Sequence, residues 1–265
     1  MRANHTDFIF REVRTVEESL KVLKLRHRVL RTCRLRNLCS ESEFGIDIDS
    51  FDLHARHFAL LERNGEVVGC QRGVYPHGEI ESPLARELLT KMPELQELVS
   101  TDARPFPCFA YLSTSEAEAI GRLSNRIGES GGQLGESARF LIDPHVSTIQ
   151  IATFMAKAIV AAYIVTDPRK HGITLVVKSH KRFYQRLGFQ AVAETNDKFS
   201  DAVGSPGCVL HIHHSLIPEA LRPELEAMAE EFVSTGRLIY RGTAKSEASA
   251  PAQVKTTAPA MVKVA

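Results

Sequence analysis

Charged residues of opposite sign form two consecutive blocks near the start of the sequence. Residues 21–36 hold seven Lys or Arg and no acid, whereas residues 41–52 hold five Asp or Glu and no Lys or Arg. If the first block is helical, the residues three and four positions away from Arg26 are all apolar, which turns Arg26 toward the core. An unpaired guanidinium there is costly, so Arg26 needs carboxylate partners.

A network of partly buried ion pairs is the chemistry that these two blocks predict. Apolar residues alternate with the acids in Gly45-Ile-Asp-Ile-Asp-Ser-Phe-Asp52, which indicates a packed segment. Arg72 lies in an apolar strand and needs a partner by the same argument. The predicted network contains Arg26, Asp47, Asp49, Asp52 and Arg72. A metal site on the three Asp is the alternative, but their spacing is not that of a calcium loop and the Arg residues oppose a cation. No metal is therefore expected.

The elements that must position these residues alternate between strand and helix. Residues 8–13 alternate in polarity as a strand does, and Thr15 with Glu18 is a capping-box start for a helix to about Arg31. Two apolar stretches flank Arg63-Asn64-Gly65, which is typical of a hairpin. The further predictions are strands at 136–142, 173–178, 189–193 and 208–214, and helices at 84–91, 113–127, 148–165, 181–187 and 218–234.

This order of elements predicts one mixed α/β (α+β) domain over residues 1–242. A long insertion at about 77–135 carries helix-like pieces, and its glycine-rich end, 128–135, is interpreted as a flexible connection. A tail over 243–265, rich in Ala, Ser, Lys and Pro, is predicted to be disordered.

The composition excludes several classes of function. Thirty-three Lys or Arg against 32 Asp or Glu, a net charge of +1, provide no field for non-specific binding of nucleic acid. No apolar run suits a transmembrane segment, and no secretory signal precedes the first strand, so a cytoplasmic protein is expected. The five Cys include no C-x-x-C pair, which favours reduced thiols over disulfides or zinc.

Four short motifs follow one another along the chain. They are Arg26-His-Arg-Val-Leu30, Asp47-Ile-Asp49-Ser-Phe-Asp52, Gly69-Cys-Gln-Arg72 and Glu136-Ser-Ala-Arg139-Phe140. In type and order they resemble the motifs of acyl-homoserine-lactone synthases and the related N-acyl amino acid synthases, which are long-chain acyltransferases with the acetyltransferase-like (GNAT) fold. The resemblance covers about residues 8–215. It implies a GNAT-like fold, in which helices flank a central mixed sheet and a helical insertion precedes the central strand.

Two departures from the lactone synthases change the expected activity. Their helix Phe is Leu30 here, and the Trp that lines their substrate cavity falls near Arg36, in a chain that has no Trp. The insertion is similar to that of N-acyl amino acid synthases and of exosortase-associated acyltransferases. The resemblance therefore implies transfer of a long-chain acyl group from acyl carrier protein to the amine of an amino acid or similar small amine. The alternatives are a lactone synthase, an acetyl-coenzyme A-dependent N-acetyltransferase and a non-catalytic lipid-binding relative.

A second resemblance concerns the acyl donor. The segment Phe183-Tyr184-Gln-Arg-Leu-Gly188-Phe189 is similar to the Tyr-x-x-x-Gly-Phe ending of GNAT enzymes, in which the Tyr often protonates the leaving thiolate. The glycine-containing loop that holds the coenzyme A pyrophosphate is missing from residues 145–153. This absence favours acyl carrier protein over acyl-CoA as the donor. Either would act as a co-substrate, and no bound cofactor is expected.

Aminolysis of a thioester requires a proton path, an oxyanion site and a thiolate able to leave. The family's proposed base corresponds to Glu136, whose alternative role is pairing with an Arg. The expected general acid is Tyr184, whose alternative role is that of a core aromatic. The oxyanion is expected at the backbone amides of Phe140, Leu141 and Ile142.

Two further groups of residues complete the predicted site. Arg139 falls on the strand face opposite Glu136 unless a bulge intervenes, which assigns it to the ion network. Acyl carrier protein is strongly acidic, so its docking surface is expected to be basic. The candidates are Arg31, Arg34 and Arg36, or Lys181 and Arg182, with ordinary exposed helix charges as the alternative.

Overall fold

The computed structural model describes residues 7–33, 39, 42–76, 78–99, 102–195, 198–200 and 204–241. The predicted tail, together with Arg34 and Arg36, lies outside these residues. None of the described helices is long and apolar enough to cross a membrane.

The described residues form one mixed sheet of nine strands. The strands are β1 (Asp7–Glu12), β2 (Ala55–Glu62), β3 (Val67–Val74), β4 (Gln133–Ile142), β5 (Lys170–Val177), β6 (Gln190–Ala191), β7 (Lys198–Ser200), β8 (Ser205–His213) and β9 (Arg237–Arg241). Their order is β6-β8-β5-β4-β3-β2-β1-β9, and β7 also pairs with β8. All neighbouring pairs are antiparallel except β4 and β5, which are parallel.

Helices cover both faces of the sheet, as predicted. They are α1 (Val16–Thr32), α2 (Pro83–Lys91), α3 (Thr114–Glu129), α4 (Ile149–Ile159), α5 (Lys181–Gln185) and α6 (Arg222–Thr235). On one face, α4 and α6 pack against Phe58 and Leu60 of β2. On the other face, α1 packs against Ala59 and Leu61 of the same strand, because strand side chains alternate between the two faces. A second core on this face joins α3 to β4, β5 and β8.

The start of α1 agrees with its sequence signal. Thr15 is the N-cap, and its hydroxyl accepts a hydrogen bond from the Glu18 amide at 3.2 Å. The apolar face that follows is buried, and Arg26 is buried with it. The helix thus carries Arg26 into the protein between the sheet and the segment before β2.

The parallel pair β4–β5 is short. Hydrogen-bonded pairing joins Gln133–Glu136 to Lys170–Ile173 and then ends, although both strands continue. Beyond this point β4 stays paired with β3, and β5 stays paired with β8. The two strands therefore diverge after Glu136, and we call this opening in the middle of the sheet the fork.

The structure differs from the sequence prediction in three ways. The glycine-rich stretch before residue 136 is not entirely a connection, since β4 begins at Gln133 and includes Gly135. The long buried helix is α-helical only to Ile159 and continues as a π-helical segment, Val160–Val165. The sequence prediction lacks two strands: β7, which pairs with β8, and β9, which pairs with β1 and forms the sheet edge.

Candidate active site

The structure brings the six residues of the predicted ion network together beneath the fork. Arg26 Nε donates to Asp47 Oδ2 at 2.8 Å, and Arg26 Nη1 donates to Asp52 Oδ1 at 2.7 Å. Arg72 Nη1 donates to the same Asp52 oxygen at 2.7 Å. A bidentate pair joins Arg72 to Asp49 at 2.6 and 2.8 Å.

Burial and charge act in opposite directions on this network. Burial alone raises the pKa of Asp52, but the charges of Arg26 and Arg72 outweigh it and hold this pKa well below its ordinary value.

The acidic segment gains further order from a short 3-10 helix, Ser50–His54. Asp49 caps its first amides, and the Asp52 carboxylate accepts from the Asp49 amide at 2.9 Å.

Three Arg residues neutralise the three Asp residues. The third base is Arg139, whose Nε lies 3.2 Å from Asp47 Oδ2 and whose Nη2 lies 3.6 Å from Asp49 Oδ2. Among the described residues, no group of three or more His, Cys, Asp or Glu side chains is arranged to hold a metal ion.

Arg139 reaches the network through a bulge in β4. Arg72 pairs with Ala138 and Cys70 pairs with Leu141, so two residues, Arg139 and Phe140, lie opposite one residue of β3. Arg139 has a φ of +55°, in the left-handed region that L-residues rarely adopt. The extra residue changes the alternation of side chains along β4 and turns Arg139 toward the acidic segment.

A cavity of about 270 Å³ opens at the fork. Its walls contain the diverging parts of β4 and β5, the network residues Asp49, Arg72 and Arg139, and the insertion between residues 102 and 116. The backbone of both strands is free of sheet pairing on the cavity side, because β4 and β5 no longer bond to each other. The cavity thus offers backbone donors and acceptors as well as charged side chains.

Glu136 is the last β4 residue before the fork, and its side chain lies in the cavity wall. Its residue exposure is only 3%, and the Cys108 amide donates to its Oε2 at 2.9 Å. Burial raises the pKa of Glu136 to about 7, although hydrogen bonds from the Cys108 amide and thiol oppose the rise. Burial and the nearby carboxylate raise the pKa of the Cys108 thiol, which stays protonated and donates to Glu136.

Of the other predicted catalytic and oxyanion residues, all but one line the cavity. Tyr184 is buried in the cavity wall, and burial raises its pKa, so its hydroxyl is neutral. Phe140 and Leu141 also line the cavity, whereas Ile142 is buried further along β4 and is not part of the cavity wall.

Basic residues flank the cavity on two sides. Arg31 is exposed and follows Leu30, a residue of the cavity wall. Lys181 and Arg182 precede Tyr184 on α5, with Arg182 exposed and Lys181 half-buried.

Sequence reasoning does not identify the residues that the insertion contributes. Cys108 and Tyr111 lie in a 3-10 helix, Pro107–Tyr111, that covers the cavity next to Glu136. Asp102 and Arg104, paired at 2.9 Å, stand beside them in the wall. The only signal in the sequence is the apolar run Phe106-Pro-Cys-Phe within a polar insertion, which indicates burial but not contact with the central strand.

A second, apolar cavity of about 30 Å³ lies on the α4 side of the fork. It shares four wall residues with the larger cavity, namely Glu136, Ser137, Phe140 and Tyr184. Its other walls include Phe58, Ile159 and Ile212. A molecule held at the fork therefore has on one side a larger cavity of mixed polarity that contains charged side chains, and on the other a smaller apolar cavity.

The mixed sheet that forks at its central parallel pair, with a bulge in the central strand, has the architecture of the GNAT-like acyltransferases. Among solved structures, the chain is similar to the N-acyl amino acid synthase FeeM from uncultured soil microbes. The identity is 14% and the TM-score 0.51, over 84% of this chain and 94% of FeeM. This likeness confirms the predicted fold.

Two lactone synthases are also similar in structure. For the AHL synthase LasI the identity is 15% and the TM-score 0.47, over 79% of this chain and 90% of LasI. For the CoA-dependent acyl-homoserine lactone synthase BjaI the identity is 13% and the TM-score 0.48, over 82% of this chain and 89% of BjaI. No protein-family model and no curated protein sequence matches the chain.

Proposed function

We propose that this protein is an N-acyltransferase that moves a fatty acyl group from the thioester of acyl carrier protein to the amine of an amino acid or similar small amine. The observation that carries the proposal is the buried carboxyl group of Glu136 at the start of the fork, with a pKa near neutrality, in the wall of a 270 Å³ cavity. A group of this pKa accepts a proton efficiently at physiological pH.

The fork suits the donor's pantetheine arm. An extended chain of amides between the diverging strands can take up hydrogen bonds that β4 and β5 no longer make with each other. The thioester carbonyl then lies beside the bulge, where amides at Phe140 and Leu141 can hold the oxyanion. The shared wall directs the acyl chain toward the apolar cavity and leaves the larger cavity, with its charged side chains, to the amine.

The reaction forms a carbon–nitrogen bond and breaks a carbon–sulfur bond, while a proton moves in effect from nitrogen to sulfur. The amine nitrogen attacks the thioester carbon, and its proton passes to the Glu136 carboxylate, directly or through water. As the carbon–sulfur bond breaks, the Tyr184 hydroxyl protonates the leaving thiolate. The products are an amide and the free thiol of the carrier, and proton exchange through water then returns the proton from Glu136 to Tyr184.

Three features support a carrier protein over coenzyme A as donor. Thr148 caps α4, and its hydroxyl accepts from the Ile151 amide at 3.2 Å, so a side chain already bonds this helix end. Asp143, in the loop before it, pairs with Arg28 at 2.6 Å and so engages a basic side chain beside this loop that a pyrophosphate would need. Arg31 and Arg182 provide exposed basic charges beside the cavity for an acidic partner.

The test is product analysis with purified protein. The protein is incubated with acyl-ACP or the matching acyl-CoA and a set of amino acids and small amines, and the products are identified by mass spectrometry. We expect N-acyl amides, faster from acyl-ACP, and little product from Glu136→Gln. Lactones from S-adenosylmethionine, or acetylated products alone, would contradict the proposal, and a protein that binds donors without turnover would be a non-catalytic relative.

A further inference from the structure

We propose that Tyr163 closes the apolar cavity and sets the length of the acyl chain that the protein accepts. This inference rests on the proposed function for the nature of the occupant, a hydrocarbon chain that leaves the fork on the α4 side. Tyr163 lies in the wall of the 30 Å³ cavity and is itself buried.

The π-helical segment places Tyr163 over the sheet. Val160–Val165 follows α4 directly, and most of its side chains are buried against the same core. A π-turn adds a residue to the helix and rotates the side chains that follow it. The wider turn thus brings a bulky aromatic ring to a face that otherwise carries Ala and branched aliphatic residues.

Two glycines on the sheet leave room for the Tyr163 ring. Gly135 of β4 and Gly172 of β5 pair directly, and both line the cavity. A methyl group at Gly135 would lie 2.5 Å from the Tyr163 hydroxyl oxygen, far inside contact distance. The ring therefore rests on bare backbone and blocks the path along the sheet.

Polar groups stand behind the ring. The Lys170 ammonium lies 4.9 Å from the centre of the Tyr163 ring, within the range of a cation–π contact. Tyr75 meets the same ring edge-on, with 5.7 Å between centroids. A methyl terminus that pushed past Tyr163 would meet a half-buried charge, so the cavity ends here for an alkyl chain.

The size of the cavity then sets the substrate class. A volume of 30 Å³ holds about two or three groups the size of a water molecule or methylene. The volume fits a short acyl group, in place of the long chain that the sequence resemblance implies.

Binding of chain-length analogues tests this inference without turnover. S-Alkyl pantetheine thioethers, from butyl to hexadecyl, are titrated into the full-length protein by calorimetry. Affinity should rise about fourfold for each methylene that becomes buried and level off once the cavity is full. In Tyr163→Ala, this levelling point should move about two to four carbons further, since truncating a large core residue leaves a cavity.

Three further variants control for loss of stability. Tyr163→Leu keeps the core filled and should shift the levelling point less than Ala does, and Tyr163→Phe should leave it unchanged. Tyr240→Ala removes a ring that packs on Phe154 in the same core, 5.3 Å between centroids, but lines neither cavity. It should destabilise the protein without changing the chain-length profile.

The outcomes separate this inference from the proposed function. A shifted levelling point in the Ala variant without any amide product would support the role of Tyr163 and contradict the N-acyltransferase. Amide products whose chain-length profile is the same in wild type and Tyr163→Ala would contradict the role of Tyr163 alone. Binding that does not depend on chain length, or an equal shift in Tyr240→Ala, would also overturn the inference.

Discussion

Burial raises the pKa of Glu136 to about 7, and the charges of Arg72 and Arg139, which are engaged elsewhere, lower it less than burial raises it. Arg72 forms its bidentate pair with Asp49, and Arg139 lies between Asp47 and Asp49. A direct pair with either Arg would hold the pKa of Glu136 well below its ordinary value and make it a weak base. By pairing with Arg72 and Arg139, the Asp residues of the network keep these two bases from pairing with Glu136 and lowering its pKa.

Replacing Glu136 by Gln should affect the stability of the protein and its activity in different ways. Its folded-state pKa of about 7 exceeds its ordinary value of 4.5, so its contribution to stability is fully present below the lower value and is lost as pH rises through the higher one. The side chain of Glu136→Gln stays neutral, so between pH 4.5 and about 7 the variant should lose less stability than the wild-type protein does. Its kcat/KM should fall about 10²–10⁴-fold, because the base is missing. Thermal melts and initial rates across this pH range measure both effects.

Wild-type activity should rise with pH through about 7 and then level off, as the carboxylate becomes available. A rate independent of pH in this interval, with unaltered activity in Glu136→Gln, would show that Glu136 is not the base.

The Cys108 thiol should lower the pH at which Glu136 loses its proton. Its hydrogen bond to Glu136 lowers the pKa of the carboxyl, so Cys108→Ala should move the rising limb of the pH–rate profile upward by up to about one pH unit. Cys108→Ser, which restores a donor, should move the limb back toward wild type. Cys70→Ala is the matched control, since Cys70 is a buried thiol that does not line the cavity. An equal shift in the control would assign the effect to general loosening of the core.

Among the elements, β4 does most to shape the site, and it does so through two interruptions of regular pairing. Its hydrogen bonds to β5 end at Glu136, and a bulge at Arg139 interrupts its register with β3. The first opens the cavity and the second adds a base to the network. Both depend on backbone geometry more than on side-chain type.

The bulge predicts an unusual order of stability among variants. Arg139→Ala and Arg139→Gly remove the same guanidinium, but only Gly adopts a φ of +55° without strain. Gly normally destabilises a strand relative to Ala, whereas here Arg139→Gly should be more stable than Arg139→Ala by about 1 kcal/mol. Urea unfolding measures the difference, and the usual order of the two would mean that the bulge is relaxed in solution.

Sequence patterns are sufficient for elements with long periodicity or a clear cap. The apolar face of α1 and its Thr15 cap determine where Arg26 lies, and the hairpin of β2 and β3 follows from its turn residues. Side-chain alternation assigns Arg139 to the ion network, and its guanidinium does lie against Asp47 and Asp49. The bulge and the positive φ of Arg139 are not predicted, because a bulge leaves no signature in residue type. The contact of Cys108 with Glu136 spans 28 positions, and β9 is a short edge strand that depends on β1. Neither follows from local pattern.

At the scale of the whole molecule, the near-equal numbers of acids and bases are partly an internal pairing. The basic helix α1 and the acidic segment before β2 meet inside the protein through Arg26, Asp47 and Asp52. Buried pairs of this kind are costly to break, because the remaining charge stays without its partner.

Loss of one network charge should therefore destabilise the whole fold. Asp52→Asn should lower the free energy of unfolding by about 3–5 kcal/mol, whereas Glu81→Gln, which breaks the exposed pair with Arg86, should cost less than about 1 kcal/mol. Chemical denaturation measures both, and equal small effects would show that the network is not buried in solution.

The buried network should also make the stability of the fold depend on pH in the acidic range. The folded-state pKa of Asp52 lies below its ordinary value of 3.8, so its contribution to stability is present above that value and is lost as pH falls below it. The deficit of Asp52→Asn relative to wild type should shrink in this acidic range. A deficit that is constant with pH would assign the loss to packing instead of charge.

The pairing of β1 with β9 brings Asp7 and Arg241 opposite each other on adjacent strands, about 5 Å apart. A circular permutant can therefore join these two positions by a short linker and open the chain at the exposed turn Arg63-Asn64-Gly65. The sheet edge would then form between neighbours in sequence instead of between opposite ends of the chain. The permutant exchanges one long-range pairing for another, since β2 and β3 would then pair across almost the whole permuted chain. The fork, on the far side of β2 and β3, keeps every residue that surrounds it.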